Sequence, residues 1–287
     1  MKISIIGVPF NGDGTAPEVE NPVQSFRDEG LISLLKNKGH YVFDTGDLSI
    51  PSCSNKRDPI TNVLNFDVWR DVSLRLSKKL INVLDKDILP IILGGDCSIL
   101  MGIFDAFKII NLPINLFFLD GHADFQDINT SPTGEPADME LAALTGYLSK
   151  EITNMTGRGP LIKEENVVVY GINEYDLIKK SNINVIDRKV ITETGIKNTL
   201  DRSLHLFRNP NLPIWLHFDV DVLDKSIMPA VQYPVEDGLT HNEIKEFLNL
   251  AMKAIKLIGI SIACYHPKID YDKKGIKKLI SLFNEIF

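Results

Sequence analysis

Short apolar runs rich in β-branched residues alternate along this chain with longer stretches whose apolar positions recur at helical spacing. The short runs predict strands at Ile3–Val8, Tyr41–Thr45, Pro90–Leu93, Asn115–Leu119, Val167–Tyr170, Asn184–Ile186, Ile214–Phe218 and Leu257–Ala263. The longer stretches predict helices over Val23–Lys38, Asp67–Asp85, Ser98–Ile110, Met139–Leu148, Thr192–Phe207, His241–Ala254 and Lys273–Ile286. Asp138 is placed to cap the fourth helix. Thr240 is placed to cap the sixth, with Glu243 three residues on completing a capping-box pattern. Strands alternating with helices argue for a parallel sheet covered on both faces. The elements are spread evenly over residues 1–287, which predicts one domain rather than two.

Three long polar stretches lack either period: Pro9–Pro22, Phe125–Asp138 and Val222–Leu239. Each follows a predicted strand. In open α/β sheets the ligand crevice lies outside the carboxyl ends of the strands, so these loops mark the expected site.

The candidate chemistry falls at the same ends. Leu116-Phe117-Phe118-Leu119 runs into Asp120-Gly-His-Ala-Asp124, and Trp215-Leu216-His217-Phe218 runs into Asp219-Val-Asp221. If the backbone stays extended, Asp120, His122 and Asp124 point the same way. Carboxylates ~4 Å apart repel by about 1 kcal/mol in water and about 4 at an effective dielectric of 20. Bound divalent cations explain such a gathering, because carboxylate with imidazole suits manganese, zinc or iron.

Composition narrows the partners. The net charge of −7 disfavours nucleic acid and anionic membranes, which both reward a basic face. No apolar stretch reaches membrane-spanning length. The three cysteines, Cys53, Cys97 and Cys264, form no disulfide framework and fit a reducing compartment, so a cytoplasmic protein is expected.

With these motifs in view, the chain resembles the arginase/agmatinase (ureohydrolase) family. Gly94-Gly95-Asp96-Cys97-Ser98 is similar to that family's Gly-Gly-Asp-His-Ser segment. Asp120-Gly-His-Ala-Asp124 is similar to its Asp-Ala-His-Ala-Asp segment. Phe218-Asp-Val-Asp-Val-Leu-Asp224, followed by Pro229 and Gly238-Leu239-Thr240, is similar to its third signature. The resemblance implies a three-layer αβα fold with an eight-stranded parallel sheet. It also implies two manganese ions sharing a hydroxide that attacks a guanidinium or amidine carbon. By motif, Asp120 and Asp219 would bridge the ions, Asp124 and Cys97 would complete the first site, and His122 and Asp221 the second. Family habit implies a homo-oligomer.

Three departures from the family pattern shape the expected function. Cys97 stands where the family has a ligand histidine. Two divalent ions balance four aspartates, so a neutral histidine leaves the cluster neutral whereas a thiolate leaves one excess negative charge. Sulfur also favours zinc or iron over manganese. Thiolate ligation and a vacant or weak first site remain alternatives, so one or two ions are expected. Cys264 matches the family's guanidinium-binding glutamate and cannot form its bidentate pair. The resemblance also brings Cys97 and Cys264 into one pocket, as a soft-metal site or a redox-sensitive pair. Thr133-Gly134-Glu135-Pro136-Ala137-Asp138 replaces the loop carrying the family's proton-shuttling histidine, which makes Glu135 a candidate substrate-contacting acid. Asp176 falls where arginases hold the substrate amino group, and helix capping explains it equally. His217 is expected near the metal ligands and His266 near the cavity. The reading is a metal-dependent hydrolase of C–N bonds in a small guanidino or amidine molecule other than arginine, with Asp124 and Glu135 handling protons. The alternative is a non-catalytic protein that keeps the fold for binding or assembly.

Overall fold

The computed structural model describes residues 1–84 and 87–287. Its strands are β1 (Lys2–Val8), β2 (Tyr41–Asp47), β3 (Ile88–Gly94), β4 (Asn115–Leu119), β5 (Val167–Tyr170), β6 (Asn184–Ile186), β7 (Ile214–Asp219) and β8 (Leu257–Ala263). They form an eight-stranded sheet in the order β2-β1-β3-β8-β7-β4-β5-β6, parallel at every pairing. The described α-helices are α1 (Pro22–Asp28), α2 (Leu31–Asn37), α3 (Phe66–Leu84), α4 (Leu100–Ile109), α5 (Glu140–Thr145), α6 (Lys150–Thr153), α7 (Arg188–Thr194), α8 (Ile196–Leu206), α9 (His241–Ala254) and α10 (Lys274–Ile286), with short 3-10 turns between elements. The expected αβα layering is therefore present.

Side-chain alternation along the strands builds the two cores. Leu116 and Phe118 of β4 join Trp69 of α3 and Phe104 of α4 on one face. Phe117 and Leu119 join Phe247 of α9 and Leu282 of α10 on the other. The β2 edge is largely exposed, and Arg27 of α1 reaches Asp44 Oδ2 at 2.8 Å and Asp47 Oδ1 at 2.7 Å along it. Charges on an edge strand discourage pairing with a further chain.

All eight expected strands are found, while several helices differ. The run 23–38 is split because Gly30 sits at φ 85°, a left-handed conformation that ends α1. The run 192–207 is interrupted at Gly195 and preceded by an unanticipated α7. The run from Ser98 opens with a 3-10 turn over Cys97–Ile99 before α4. The run 139–148 contracts to α5. The last residue of the expected helix 67–85 lies outside the described residues. Asp138 does not cap α5: its carboxylate instead accepts from the Ser131 and Thr133 hydroxyls (2.8 Å for Thr133), which organises the preceding loop. Thr240 does cap α9, with the full capping box. No described helix is long and apolar enough to cross a membrane.

The order of the sheet positions the site. The motifs beginning at Gly94, Asp120, Asp219 and Cys264 lie at or beyond the ends of β3, β4, β7 and β8, which are contiguous in the sheet. Segments more than a hundred residues apart in sequence thus meet at one rim.

Candidate metal centre

The β3 end is shaped by close packing. A Cβ on Gly95 would lie 2.1 Å from the Phe10 carbonyl oxygen, so only glycine lets the β1 loop pass. Asp96 then accepts from the Gly12 and Ser98 backbone N–H groups and starts the 3-10 turn that points Cys97 inward. Trp69 Nε1 donates to the Ser98 carbonyl at 2.9 Å and locks that turn against α3.

Backbone donors hold the aspartates by their outer oxygens. His122 N–H donates to Asp120 Oδ1 at 2.7 Å, Asp221 N–H to Asp219 Oδ1 at 2.8 Å, and Gly121 N–H to Asp221 Oδ1 at 3.2 Å. The remaining oxygens of Asp219 and Asp120 turn toward Cys97, whose Sγ lies 2.7 Å from Asp219 Oδ2 and 3.9 Å from Asp120 Oδ2, while Asp221 Oδ2 lies 3.2 Å from His122 Nδ1. Three donor groups result, each with ligand atoms within 4.8 Å of one another: Asp120, His122 and Asp221; and, sharing Cys97, Cys97 with His217 and Asp219 and Cys97 with Asp124 and Glu140. Cys97, Asp120, His122, Asp124, Asp219 and Asp221 are therefore brought together. The expected extended backbone is not what achieves it. The segment after β4 bends, Asp124 adopts φ 46°, and its carboxylate joins Cys97 and Glu140 while His122 faces Asp221.

A buried relay supports the sulfur. Trp215 Nε1 donates to Ser261 Oγ at 2.9 Å, and Ser261 Oγ lies 2.7 Å from His217 Nδ1. The Ser261 hydroxyl has a second lone pair and a proton left after accepting from the indole, so it pairs with Nδ1 in either tautomer of a neutral His217. Nε2 lies 3.1 Å from Cys97 Sγ, within hydrogen-bonding reach. Burial drives the His217 pKa down to about 3, keeping the ring neutral. Cys264 completes this corner at φ 67°, with its Sγ 3.6 Å from that of Cys97. The strain of a non-glycine residue in that region fits a functional position.

The electrostatics are those of anions forced together. Burial, then neighbouring carboxylates, raise the Asp120 and Asp219 carboxyls well above the ordinary range and Asp124 to about 8. Burial pulls His122 down, but Asp221, with Asp124 and Asp219 behind it, outweighs that and lifts the imidazole to about 10. Burial likewise pushes the Cys97 thiol up. Cations among these groups relieve the repulsion that protons otherwise relieve, and the donor set fits a divalent ion.

Above this floor opens a cavity of about 260 Å³ lined by His122, Asp124, Asp219, Asp221 and Cys264 together with Asp13, Glu135, Asp176 and His266. Burial, then Asp96, Asp138 and Asp13, raise Glu135 to about 7. Asp176 both lines the cavity and caps a 3-10 turn, accepting from Ile178 N–H at 2.8 Å. Sequence reasoning missed Glu140 and Ser261. The signal for Glu140 was present: a lone acid inside the apolar run Met139-Glu140-Leu141-Ala142-Ala143-Leu144.

Comparison with known proteins agrees with this geometry. The chain is 28% identical to the arginase of Staphylococcus aureus strain COL over 99% of its own length and 96% of the relative's. The crystal structure of arginase from Bacillus cereus superposes with a TM-score of 0.88 at 25% identity, covering 100% of this chain and 98% of that one. That of arginase from Bacillus subtilis gives 0.86 at 26% identity, with the same coverage. The Arginase family model matches residues 1–286. The parallel sheet, the metal-type donors on its four adjacent strand ends and this full-length match together make the chain a member of the arginase family of metal-dependent hydrolases.

Proposed function

We propose that this chain hydrolyses a C–N bond in a small guanidino- or amidine-type cation other than arginine. One observation carries the reading: Asp120, His122, Asp124, Asp219 and Asp221 converge beneath a cavity whose described lining is rich in acids and contains no lysine or arginine. Such walls favour a positively charged substrate and orient it by charge. Cys97, Asp120, His122, Asp124, Asp219 and Asp221 would hold one or two Mn2+ ions, with Zn2+ or Fe2+ admitted by the sulfur of Cys97. A divalent ion bound there supplies a nucleophile near neutral pH by lowering the pKa of water. To bind it, His122 gives up its proton and becomes a neutral donor, and the aspartates become fully ionised. Asp124 and Glu135 handle protons at the reacting carbon. Glu135, raised to about 7, is suited to take up and release a proton near neutrality. A cytoplasmic homo-oligomer acting on a small molecule, with no nucleic-acid or membrane partner, completes the proposal and fits the net charge of −7.

The position of Cys264 separates this substrate class from arginine. A thiol there offers no carboxylate for bidentate pairing, so a less basic group such as an N-hydroxyguanidine is held at smaller loss. A second reading, arginine itself, has support in the names of the relatives. Manganese-loaded protein assayed for urea decides between them. The expected result is little release from L-arginine, more from Nω-hydroxy-L-arginine, and a gain on L-arginine in Cys264→Glu. Arginase-like turnover of L-arginine by the unaltered chain would overturn the assignment. Failure on a broad guanidine and amidine panel, indistinguishable from Asp221→Asn, would favour a non-catalytic role.

A further inference from the structure

We infer that Glu140 is a metal ligand, taking over at the first ion the place left by the histidine that Cys97 replaces; this rests on the metal-hydrolase reading above. Glu140 opens α5, is fully buried, and neither of its carboxylate oxygens has a hydrogen-bond partner. A buried carboxylate without donors is costly, and no described lysine or arginine pairs with it. It faces Asp124 and Cys97, with ligand atoms of all three within 4.8 Å of one another. Two carboxylates at that separation cannot donate to each other while both are ionised, so the pair requires a shared proton or a cation.

The arrangement is built rather than incidental. Leu141 N–H donates to the Asp124 carbonyl at 3.2 Å, and Gln126 N–H donates to the Asp138 carbonyl at 3.1 Å. These bonds clamp the start of α5 to the loop carrying Asp124, so Glu140 and Asp124 are held as a unit. Glu140 is also absent from the cavity lining, as is Cys97. It therefore approaches the site from the protein side, behind the groups a substrate touches, which fits ligation and not substrate contact. His217, with Nε2 3.1 Å from Cys97 Sγ, holds the sulfur beside it. A cysteine side chain is shorter than a histidine, and the added carboxylate restores a donor on that side of the ion.

The test compares the full-length chain with Glu140→Gln, which keeps the shape and removes the charge. Both are equilibrated with Mn2+, dialysed, and analysed for metal by mass spectrometry, with circular dichroism confirming the fold. The expected result is a loss of affinity of at least about tenfold for one ion in Glu140→Gln, with any ion held by His122 and Asp221 retained. Equal metal content and affinity in the two proteins would overturn the inference. Anomalous diffraction at the manganese edge on the unaltered protein gives an answer even if the variant misfolds. A Glu140 oxygen within about 2.2 Å of an ion supports ligation, and an ion beside Asp124 with Glu140 turned away refutes it. Metal binding without Glu140 defeats this inference alone, whereas no binding by the unaltered chain defeats the functional reading as well.

Discussion

Glu135 shows how much a single residue's surroundings decide. On the sequence it is one acid among several in a polar loop. In the fold it lines the cavity, and burial with Asp96, Asp138 and Asp13 nearby raises it to about 7. If it accepts a proton during turnover, kcat/KM rises as pH increases through about 7, because the carboxylate is the active form. Glu135→Gln removes that inflection and lowers kcat/KM by roughly 10²-fold or more. A pH profile of the two proteins checks this, and an unchanged inflection in the variant would remove Glu135 from the chemistry. Glu140 marks the limit of reading residues singly. The apolar run around it signals its burial, but which groups it meets there depends on where the loop places α5, and no local pattern states that. His217 and Ser261 likewise acquire their roles only when β7 and β8 lie side by side, at the register that pairs His217 with Ser261.

Elements were legible where a period or a cap writes them into the chain. The eight strands were, since each is a short apolar run with polar punctuation. The α9 start was, because Thr240 and Glu243 satisfy each other's backbone donors reciprocally. Thr240→Ala removes that reciprocity and is expected to cost about 1 kcal/mol, measured by urea denaturation. Helix breaks were less legible. Gly30 inside a helical pattern is tolerated in many proteins, and only the packing of α1 and α2 on the sheet shows that the chain turns there. Asp138 precedes a helical run as a cap does, yet the Ser131 and Thr133 hydroxyls compete successfully for its carboxylate. The bend at Asp124 was equally invisible, since alternation assumes an extended backbone and φ 46° breaks it.

At the scale of the molecule, sheet order turns four separate motifs into one site. Strands β3, β8, β7 and β4 are neighbours, so their carboxyl ends gather Cys97, Cys264, Asp219 and Asp120 at one rim. Folding brings these acids together against their repulsion, and bound divalent cations are the proposed reason. Calorimetric titration of Mn2+ into chelator-treated protein tests this most directly, run in buffers of differing ionisation enthalpy so that proton release is counted. Stoichiometric uptake of one or two ions per chain is predicted, with protons released from His122 and the raised carboxyls, and with binding weakened in Asp221→Asn. A folded, metal-supplemented chain that takes up no manganese, zinc or iron would contradict it.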